Sequence, residues 1–377
     1  MSPTTTGPNT TGNVFAVIAG GGTAGHVLPG VAIARALEAR GHTVHYVGAA
    51  RGLEARLLPA EGIAHTLLPG RGIERRLSLA SLGAIAGILR AVFAAISLVR
   101  RLRPAVIVGV GGYASVPCVL AGVLWRVPIV VAEQNTHPGA ANRLAARFAK
   151  ATAVAFPDTP LPRAVVTGNP VRPDVAAIDR ARDGASAKAA LGAPADRLLV
   201  LVAGGSLGAL TINRAVRALV EGPWRDRRDV AVRHVIGERD WEAIGAEAPA
   251  LPPDGVHYTP VRYESAMPTA LAAADIGVFR AGSSMCFEIA AVALPSILVP
   301  SPNVTGDHQT GNARRFADAG AAVLVPDAEL DGDRLAAELD ALIADPGRRE
   351  SMATAARAFA RLHAADEIAA LAEEHAR

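Results

Sequence analysis

The chain has 377 residues, of which 50% are hydrophobic and only 4% aromatic, and its formal net charge is +3. This length allows two domains with sizeable cores, and a net charge so near zero gives no global argument for binding nucleic acid. The two cysteines, Cys118 and Cys286, suggest no disulfide framework, and the polar segment 1–12 lacks the pattern of a secretory signal, so we expect a cytoplasmic protein.

Short runs of Val, Ile and Leu alternate along the chain with helical stretches rich in Ala, Leu and Arg, which is typical of parallel sheets covered by helices. We expect a disordered tail over 1–12, a first domain over 13–170, a second over 171–357 and a C-terminal helix over 358–377 that packs back on the first domain. Strands are predicted in the first domain at 14–19, 43–47, 64–68, 106–110, 129–132, 151–155 and 164–166. In the second domain they are predicted at 198–203, 230–236, 256–259, 276–279, 296–299 and 322–325. The predicted fold class is α/β, with two Rossmann-like parallel-sheet domains that face each other across a cleft.

Two of these strands run directly into glycine-rich turns, at 20–26 and at 204–208. Each turn is expected to open a helix whose first backbone N–H groups can hold a phosphate. The first turn also fits the dinucleotide pattern G-x-G-x-x-G. That pattern expects an acid at the end of the second strand, but 48–50 is Gly-Ala-Ala and Glu54 comes too late. A nucleotide-sugar enzyme is therefore favoured over an NAD or FAD enzyme.

His26 follows the first turn, so it is expected on the first turn of a helix at the carboxyl edge of the sheet. The helix N-terminus disfavours imidazolium, and a neutral imidazole is a suitable general base for a sugar hydroxyl. A histidine that merely caps or packs the turn is the alternative. No histidine has metal-ligand spacing, so no metal site is predicted.

Seven arginines and a single acid lie between Arg71 and Arg103, around a mostly apolar stretch over 77–99. The stretch is just long enough to span a bilayer, but a charge near its centre, Arg90, costs about 2.5–3.5 kcal/mol. A span would also cut the first domain in two. Apolar residues at helical spacing predict one or two helices instead. Two interpretations stay open, a basic and partly apolar surface that touches anionic lipid and an ordinary core helix with solvated arginines.

Eight short motifs, in this order, resemble those of the MurG family: 21–26 with 29–30, 111–113, 133–135, 168–172, 204–208, 280–282, 288–290 and 309–313. The resemblance covers nearly the whole chain after the N-terminal tail. It implies an inverting, metal-independent GT-B glycosyltransferase that needs no cofactor. Such enzymes move N-acetylglucosamine from UDP-N-acetylglucosamine to the C4 hydroxyl of the muramoyl sugar of lipid I, which is linked to undecaprenyl diphosphate. The product, lipid II, serves peptidoglycan synthesis.

The resemblance also implies roles for residues of the first domain. Thr23, Ala24 and Gly25 would form the loop that faces the donor and the acceptor diphosphate. His26 would be the base for the acceptor hydroxyl, and Asn135 would bind the transferred sugar. Asn135 as a simple turn cap is the alternative, and the motif at 111–113 is either a structural turn or an acceptor contact.

In the second domain, Arg172 and Ser206 would meet the UDP pyrophosphate, Glu288 would accept both ribose hydroxyls, and Gln309 would bind hydroxyls of N-acetylglucosamine. Alternatives are that Arg172 only pairs with Asp174 and that Glu288 is only favoured by a helix dipole. The residues expected to line the nucleotide base and its surroundings are Tyr263 or Glu264 beside the uracil, and Ser283, Ser284, Met285, Cys286 and Phe287.

The chain departs from the family pattern at four places. Ala24 stands where glycine is usual, and its methyl group is tolerated if its φ is negative. Ala293 begins a triplet that usually starts with glycine, which is expected to have structural consequences only, and the loop 261–264 matches the pattern poorly. His308 stands where we expect glutamine, so that end of the sugar pocket is expected to be rearranged.

The resemblance implies a peripheral protein at the cytoplasmic face of the cell membrane, with an anionic membrane surface and other cell-wall synthesis proteins as partners. One alternative is another GT-B enzyme, such as a glycolipid glycosyltransferase or a UDP-sugar epimerase. A second is a non-catalytic scaffold that binds a nucleotide sugar. A positioned base at His26 together with Glu288 argues against the scaffold.

Overall fold

The structure is a computed structural model, and it describes residues 4–6, 15–50, 52–69, 79–205, 208–247 and 249–377. The chain forms two compact units. Unit 1 comprises Met1–Val171 and Arg361–Arg377, and unit 2 comprises Arg172–Ala360. The predicted domain boundaries, at 170 and 357, lie close to these positions.

Unit 1 alternates strands and helices. Its strands are β1 (Thr4–Thr6), β2 (Ala16–Gly20), β3 (Val44–Ala49), β4 (His65–Leu68), β5 (Val106–Gly111), β6 (Ile129–Glu133), β7 (Ala151–Val154) and β8 (Ala164–Val166). Its helices before residue 171 are α1 (Ala24–Ala39), α2 (Glu54–Ala60), α3 (Leu79–Leu102), α4 (Ser115–Trp125) and α5 (Ala140–Ala146). The sheet order is β1-β4-β3-β2-β5-β6-β7-β8, and every pair except β1 with β4 is parallel.

Strand β1 lies in the segment that was predicted to be a disordered tail. Its three threonines pair antiparallel with β4, which adds a short edge strand to the sheet. Threonine is β-branched and suits an extended backbone, a preference that outweighs the polar composition here. The rest of the predicted tail lies outside the described residues.

Unit 2 repeats the alternation. Its strands are β9 (Leu198–Ala203), β10 (Val230–Val235), β11 (His257–Val261), β12 (Ile276–Phe279), β13 (Ser296–Leu298) and β14 (Ala322–Leu324). Its helices are α6 (Pro173–Ala176), α7 (Arg180–Ala190), α8 (Leu210–Glu221), α9 (Trp241–Ile244), α10 (Met267–Ala273), α11 (Ser283–Ala291), α12 (His308–Asp318), α13 (Gly332–Ala344) and α14 (Pro346–Arg357), with short 3₁₀ turns at Thr305–Asp307 and Asp327–Glu329. The strands form one parallel sheet in the order β11-β10-β9-β12-β13-β14.

Both sheets have the Rossmann strand order. Numbered from β2 in unit 1 and from β9 in unit 2, the strands lie in the order 3-2-1-4-5-6, and β8 extends the first sheet. The order reverses between β2 and β5 and again between β9 and β12. Ligands of such sheets bind at the carboxyl ends of the strands on either side of the reversal. The predicted α/β class, with two Rossmann-like parallel sheets, is confirmed.

The central strands are buried on both faces, which explains their unbroken apolar sequences. Strand β9 reads Leu-Leu-Val-Leu-Val-Ala and is buried from Leu199 onwards. Helix α8 covers one face of its sheet with Ile212, Val216 and Leu219, which share a core cluster with Val200. Their spacing of three and four residues places them on one stripe of the helix.

The last helix, α15 (Ala364–His375), packs on α1 of unit 1. Ile368 and Ala369 are buried in the core of that unit. Glu373 holds the helix end: one carboxylate oxygen lies 2.8 Å from Nη1 of Arg40 and the other lies 2.7 Å from Nε2 of His42. The C-terminal segment thus lies on the unit on which it was predicted to lie.

The apolar stretch predicted over 77–99 belongs, in its described part, to the single helix α3. Within the residues that the structure describes, no helix is both long enough and apolar enough to cross a membrane. Arg71, Arg75 and Arg76, part of the predicted basic frame, lie outside those residues.

Candidate active site

Two glycine turns meet at the strand-order reversal of unit 1. The N–H of Gly21, after β2, donates to the carbonyl of Gly111 at the end of β5, at 3.2 Å. A Cβ on Gly112 would lie only 2.0 Å from the carbonyl oxygen of Gly21, so the two backbones touch. The Tyr113 hydroxyl donates to the Pro69 carbonyl at 3.1 Å. The motif at 111–113 thus helps to form the turn, and whether it also contacts the acceptor stays open.

His26 lies on the first turn of α1, beside both glycine turns. Its Nδ1 is 3.0 Å from Oγ1 of Thr23, the residue that precedes the helix. A Cβ on Gly111 would lie 2.8 Å from Cδ2 and 3.1 Å from Nε2 of the ring. In the tautomer with the proton on Nδ1, the Thr23 hydroxyl accepts it and Nε2 carries the lone pair that a base needs.

The family glycine that Ala24 replaces is not needed at this position. Ala24 is the first residue of α1 and has a helical backbone. The left-handed conformation falls two residues earlier, on Gly22, at φ +98°. The backbone at position 24 is therefore one that residues other than glycine adopt without strain. Gly25 follows on the same helical turn and is half-buried.

Glu133, at the end of β6, organises the loop that contains Asn135. Its carboxylate accepts the backbone N–H and Nδ2 of Asn135 at 3.0 and 3.2 Å, the N–H of Gly139 at 3.1 Å, and Nδ2 of Asn142 at 2.9 Å. Asn142 Nδ2 lies 3.2 Å from where a Cβ on Gly111 would be, so this cluster adjoins His26. Asn135 thus helps to form a turn, as the alternative had it, and its contact with the sugar stays a prediction.

Two buried acids, Glu133 and Glu54, hold these turns through hydrogen bonds, which was not predicted from the sequence. Glu133 stood in a motif, but only its neighbour Asn135 was assigned a role. Glu54, dismissed as a ribose ligand, is fully buried and accepts the N–H groups of Gly22 and Ala49. The sequence signal for both is an acid within a few residues of a strand end and of nearby glycines.

In unit 2 the second glycine turn follows β9. Gly205 and Gly208 have φ values of +95° and +92°. A Cβ on Gly208 would lie 2.4 Å from the carbonyl oxygen of Ile236 and 2.7 Å from Oδ2 of Asp240. Asp240 is buried and accepts a hydrogen bond from Nδ2 of Asn213 at 3.0 Å. Ser206, the predicted pyrophosphate contact, lies outside the described residues.

Arg172 and Glu288, predicted to hold pyrophosphate and ribose, contact each other. Nε of Arg172 donates to Oε1 of Glu288 at 3.0 Å, and Nη1 lies 3.9 Å from Oδ2 of Asp174. Burial raises the pKa of Glu288, and the Arg172 guanidinium opposes this rise. The pairing with Asp174 exists, but Glu288 is the nearer partner.

Helix α11 begins at Ser283, directly after Gly282, which precedes it in an extended conformation. Ser284 and Met285 are half-buried, whereas Ser283 is buried. Cys286 and Phe287 are at most 1% exposed, and burial raises the pKa of the Cys286 thiol to about 12. These last two side chains lie in the protein interior, and the expectation that the segment 283–287 lines the nucleotide stays a prediction.

Two of the remaining residues predicted to bind the sugar donor form hydrogen bonds with other residues of unit 2. The Glu264 carboxylate accepts from Nε of Arg233 at 2.6 Å and from the N–H of Ala266 at 2.9 Å, so this buried side chain is turned away from solvent. Tyr263 beside it is exposed. Gln309 Oε1 accepts the N–H of Ser301 at 2.8 Å, which fixes the side chain at the start of α12.

Arg280, also part of a family motif, braces the end of β12. Its Nη1 donates to the carbonyls of Val299 and Pro300, both at 3.2 Å, and it forms an ion pair with Asp327. Asp327 in turn accepts from the Thr211 hydroxyl at 3.1 Å. Asp327 was not predicted, since nothing in its local sequence marks it.

Helices α3 and α4 pack together and leave large apolar side chains exposed, with Phe93 at 69% and Leu124 at 58%. We call this the α3–α4 surface, formed by Leu89, Phe93, Leu120, Val123, Leu124 and Trp125. The Arg100 guanidinium lies 5.6 Å from the centre of the Trp125 ring. Arg90, Arg101 and Arg103 are exposed on the same helix, α3, or directly after it. The surface is apolar, and Arg100 places a positive charge against its Trp125.

In the described part of the chain, no group of three or more His, Cys, Asp or Glu residues could hold a metal ion. The polar groups at the two sheet reversals are instead backbone N–H groups, arginine, histidine, amides and carboxylates. This is a set that can bind phosphates and sugar hydroxyls and transfer a proton.

Comparison with known proteins gives consistent matches over both units. The model of the glycosyltransferase family 28 N-terminal domain matches residues 16–154, and that of the family 28 C-terminal domain matches residues 199–368. A UDP-N-acetylglucosamine–N-acetylmuramyl-(pentapeptide) pyrophosphoryl-undecaprenol N-acetylglucosamine transferase of Cutibacterium acnes is 40% identical, over 94% of this chain and 96% of the relative. The protein of the same name from Desulforudis audaxviator is 37% identical, over 95% and 97%.

A crystal structure of MurG from Acinetobacter baumannii superposes with a TM-score of 0.76 at 26% identity and covers 96% of this chain and 99% of that one. These matches confirm the resemblance found in the eight motifs. The chain belongs to glycosyltransferase family 28 and, within it, to the MurG family.

Proposed function

We propose that the protein transfers N-acetylglucosamine from UDP-N-acetylglucosamine to the C4 hydroxyl of the muramoyl sugar of lipid I, with inversion, and so forms lipid II. The observation that carries the proposal is the near-full-length similarity to proteins named as N-acetylglucosamine transferases of this kind. The ordered position of His26 between two glycine turns supports it, since a base belongs at such a place.

Unit 2 holds the donor. Glu288 accepts the two ribose hydroxyls, and Arg172, its present partner, moves its charge to the pyrophosphate. The glycine turn at 204–208 and the N-terminus of α11 supply N–H donors to the same phosphates. Gln309 donates through Nε2 to a sugar hydroxyl, because its Oε1 is held by Ser301.

Unit 1 holds the acceptor and the base. Nε2 of His26 takes the proton from the C4 hydroxyl while the acceptor oxygen bonds to the anomeric carbon and the bond to UDP breaks. The electron pair leaves with the UDP β-phosphate, whose charge Arg172 and the N–H donors stabilise. One in-line displacement of this kind inverts the anomeric configuration.

The α3–α4 surface attaches the enzyme to the cytoplasmic face of the membrane, where a polyprenyl-linked acceptor lies. Exposed Phe93 and Leu124 enter the interface, and the arginines attract anionic headgroups. Less Phe93→Ser protein than wild type should sediment with anionic vesicles. Wild type should bind neutral vesicles less than anionic ones. Leu362→Ser is the matched control, since Leu362 is 46% exposed elsewhere on unit 1. Equal losses in both variants would contradict this attachment site.

The activity is tested by incubating the protein with UDP-N-acetylglucosamine and a short-chain lipid I analogue. The proposal predicts that UDP release depends on acceptor and that mass spectrometry finds the disaccharide product. An altered UDP-sugar formed without acceptor would favour an epimerase. Tight donor binding with no turnover would favour a scaffold. Either result would overturn the proposed function.

A further inference from the structure

Glu54 is a buried carboxylate at the start of α2 whose hydrogen-bond partners are backbone groups. Both of its oxygens accept the N–H of Gly22, at 3.1 and 3.0 Å, and Oε1 also accepts the N–H of Ala49 at 2.7 Å. The side chain is 0% exposed. Among the described residues, no lysine, arginine or histidine forms an ion pair with it. A buried acid of this kind is costly unless its hydrogen bonds are kept.

Three glycines make room for this carboxylate. A Cβ on Gly21 would lie 2.0 Å from Oε1, one on Gly52 would lie 2.1 Å from Oε2, and one on Gly48 would lie 2.4 Å from Cγ of Glu54. None of the three has a positive φ, so their backbones do not require glycine. Glycine at these positions is explained by the space that the Glu54 side chain occupies.

A short chain of contacts leads from Glu54 to His26. Glu54 fixes Gly22, which adopts φ +98°, and the next residue, Thr23, precedes α1 in an extended conformation. The Thr23 carbonyl accepts the N–H of His26 at 3.1 Å, and its Oγ1 lies 3.0 Å from Nδ1 of the ring. A shift of Gly22 therefore moves both the backbone and the ring contact of His26.

We propose that Glu54 is a positioning residue for His26 and holds the first glycine turn in its reactive geometry before substrate binds. Its carboxylate accepts the Gly22 N–H that a phosphate would otherwise take, so this turn serves to place the base, whereas the turn at 204–208 serves phosphate. The inference rests on the proposed function insofar as His26 is the base of that reaction.

The test uses Glu54→Gln, which keeps the shape but turns an NH₂ group towards the N–H of Gly22. Glu61→Gln is the matched control, because Glu61 lies just after the same helix, its side chain is 40% exposed, and its carboxylate pairs with Arg35 instead of with the glycine turn. We expect kcat to fall about tenfold or more in Glu54→Gln, as displacement of a catalytic group does. The dissociation constant for UDP-N-acetylglucosamine and the activity of Glu61→Gln should stay unchanged.

A double-mutant cycle separates positioning from general damage. If Glu54 acts through His26, Glu54→Gln should lower kcat less than twofold further in a His26→Ala background. The full tenfold loss in that background would overturn the inference. Gly48→Ala displaces the Glu54 side chain without removing its negative charge, so this variant should show the same loss of kcat. Wild-type activity in Gly48→Ala would also overturn the inference.

A measurement that does not depend on turnover tests the inference separately from the proposed function. In protein labelled with ¹⁵N-histidine, the His26 ring signals, assigned with His26→Ala, should shift in Glu54→Gln and not in Glu61→Gln. Unshifted signals in a folded Glu54→Gln protein would overturn the inference even if the enzyme transfers sugar. If wild type shows no acceptor-dependent turnover, the proposed function fails, and the ring signals still decide whether Glu54 positions His26.

Discussion

Arg172 donates a 3.0 Å hydrogen bond to Glu288, 116 positions further along the chain, and the proposed donor site uses both residues. Only the ionised form of Glu288 can accept two ribose hydroxyls at once. Burial raises the pKa of this carboxyl from its ordinary value of 4.5, while the guanidinium lowers it. If Glu288 holds the ribose as proposed, protons compete with the donor for its carboxylate at a higher pH than they would at an exposed glutamate.

Donor affinity should consequently fall as the pH drops through the raised pKa of Glu288. Calorimetry with UDP-N-acetylglucosamine across this range measures the effect, because a diphosphate esterified at both ends does not titrate there. Glu288→Gln should bind the donor weakly and with little pH dependence. The same pH dependence in wild type and Glu288→Gln would show that another group titrates.

Gly111→Ala should reduce kcat by at least about tenfold, because a new Cβ would lie 2.8 Å from the His26 ring and the backbone has φ +92°. Gly139→Ala is the matched control in the neighbouring loop. Gly139 has φ −63°, and a Cβ there would meet nothing within 4 Å. Similar activities in the two variants would contradict the geometry described for His26.

Ala293→Gly should stabilise unit 2. Ala293, at the end of α11, is buried with φ +50°, where an L-residue costs about 1–2 kcal/mol. The greater chain entropy of glycine offsets part of this, so we expect a net gain of roughly 0.5–1 kcal/mol in urea unfolding. Ala290→Gly, inside the same helix, should lose about 1 kcal/mol. A loss in both variants would mean that position 293 is not strained.

The sequence predicts the strands well because buried parallel strands are continuous apolar runs. Strand β9 was predicted at 198–203 and lies at Leu198–Ala203. Glycine turns likewise mark the sheet reversals. The partners of the acids could not be predicted, since Glu54 bonds to Gly22, 32 residues away, and neither residue type indicates the other.

The burial pattern along α11 could have been predicted. The segment 283–287, expected to line the nucleotide, forms the first turns of this helix, so its side chains point in different directions. Ser283, Cys286 and Phe287 are spaced by three and four residues and share the buried face, while Ser284 and Met285 are half-buried. Helical periodicity in the sequence contained this information, whereas the pairing of Arg172 with Glu288 depends on tertiary structure alone.

Buried Tyr46 and partly buried Tyr258 should respond differently to loss of their hydroxyls. The Tyr46 hydroxyl has no hydrogen-bond partner among the described residues, so Tyr46→Phe should be neutral or slightly stabilising. The Tyr258 hydroxyl lies 2.9 Å from Nδ1 of His234, whose pKa burial lowers to about 3. Tyr258→Phe leaves that neutral ring without a donor and should cost about 1–3 kcal/mol in urea unfolding. Equal changes in the free energy of unfolding would contradict this difference in hydrogen bonding between the two hydroxyls.

The role of His26 is tested most directly by measuring acceptor-dependent UDP release and donor affinity on the same preparations of wild type, His26→Ala and His363→Ala. His363 is exposed at the start of α15 and serves as the control. A general base of this kind contributes about 10²–10⁴-fold, so kcat should fall by that factor in His26→Ala alone, with donor affinity unchanged. If His26→Ala keeps most of its turnover, or if it loses turnover only because the donor no longer binds, His26 is not the base.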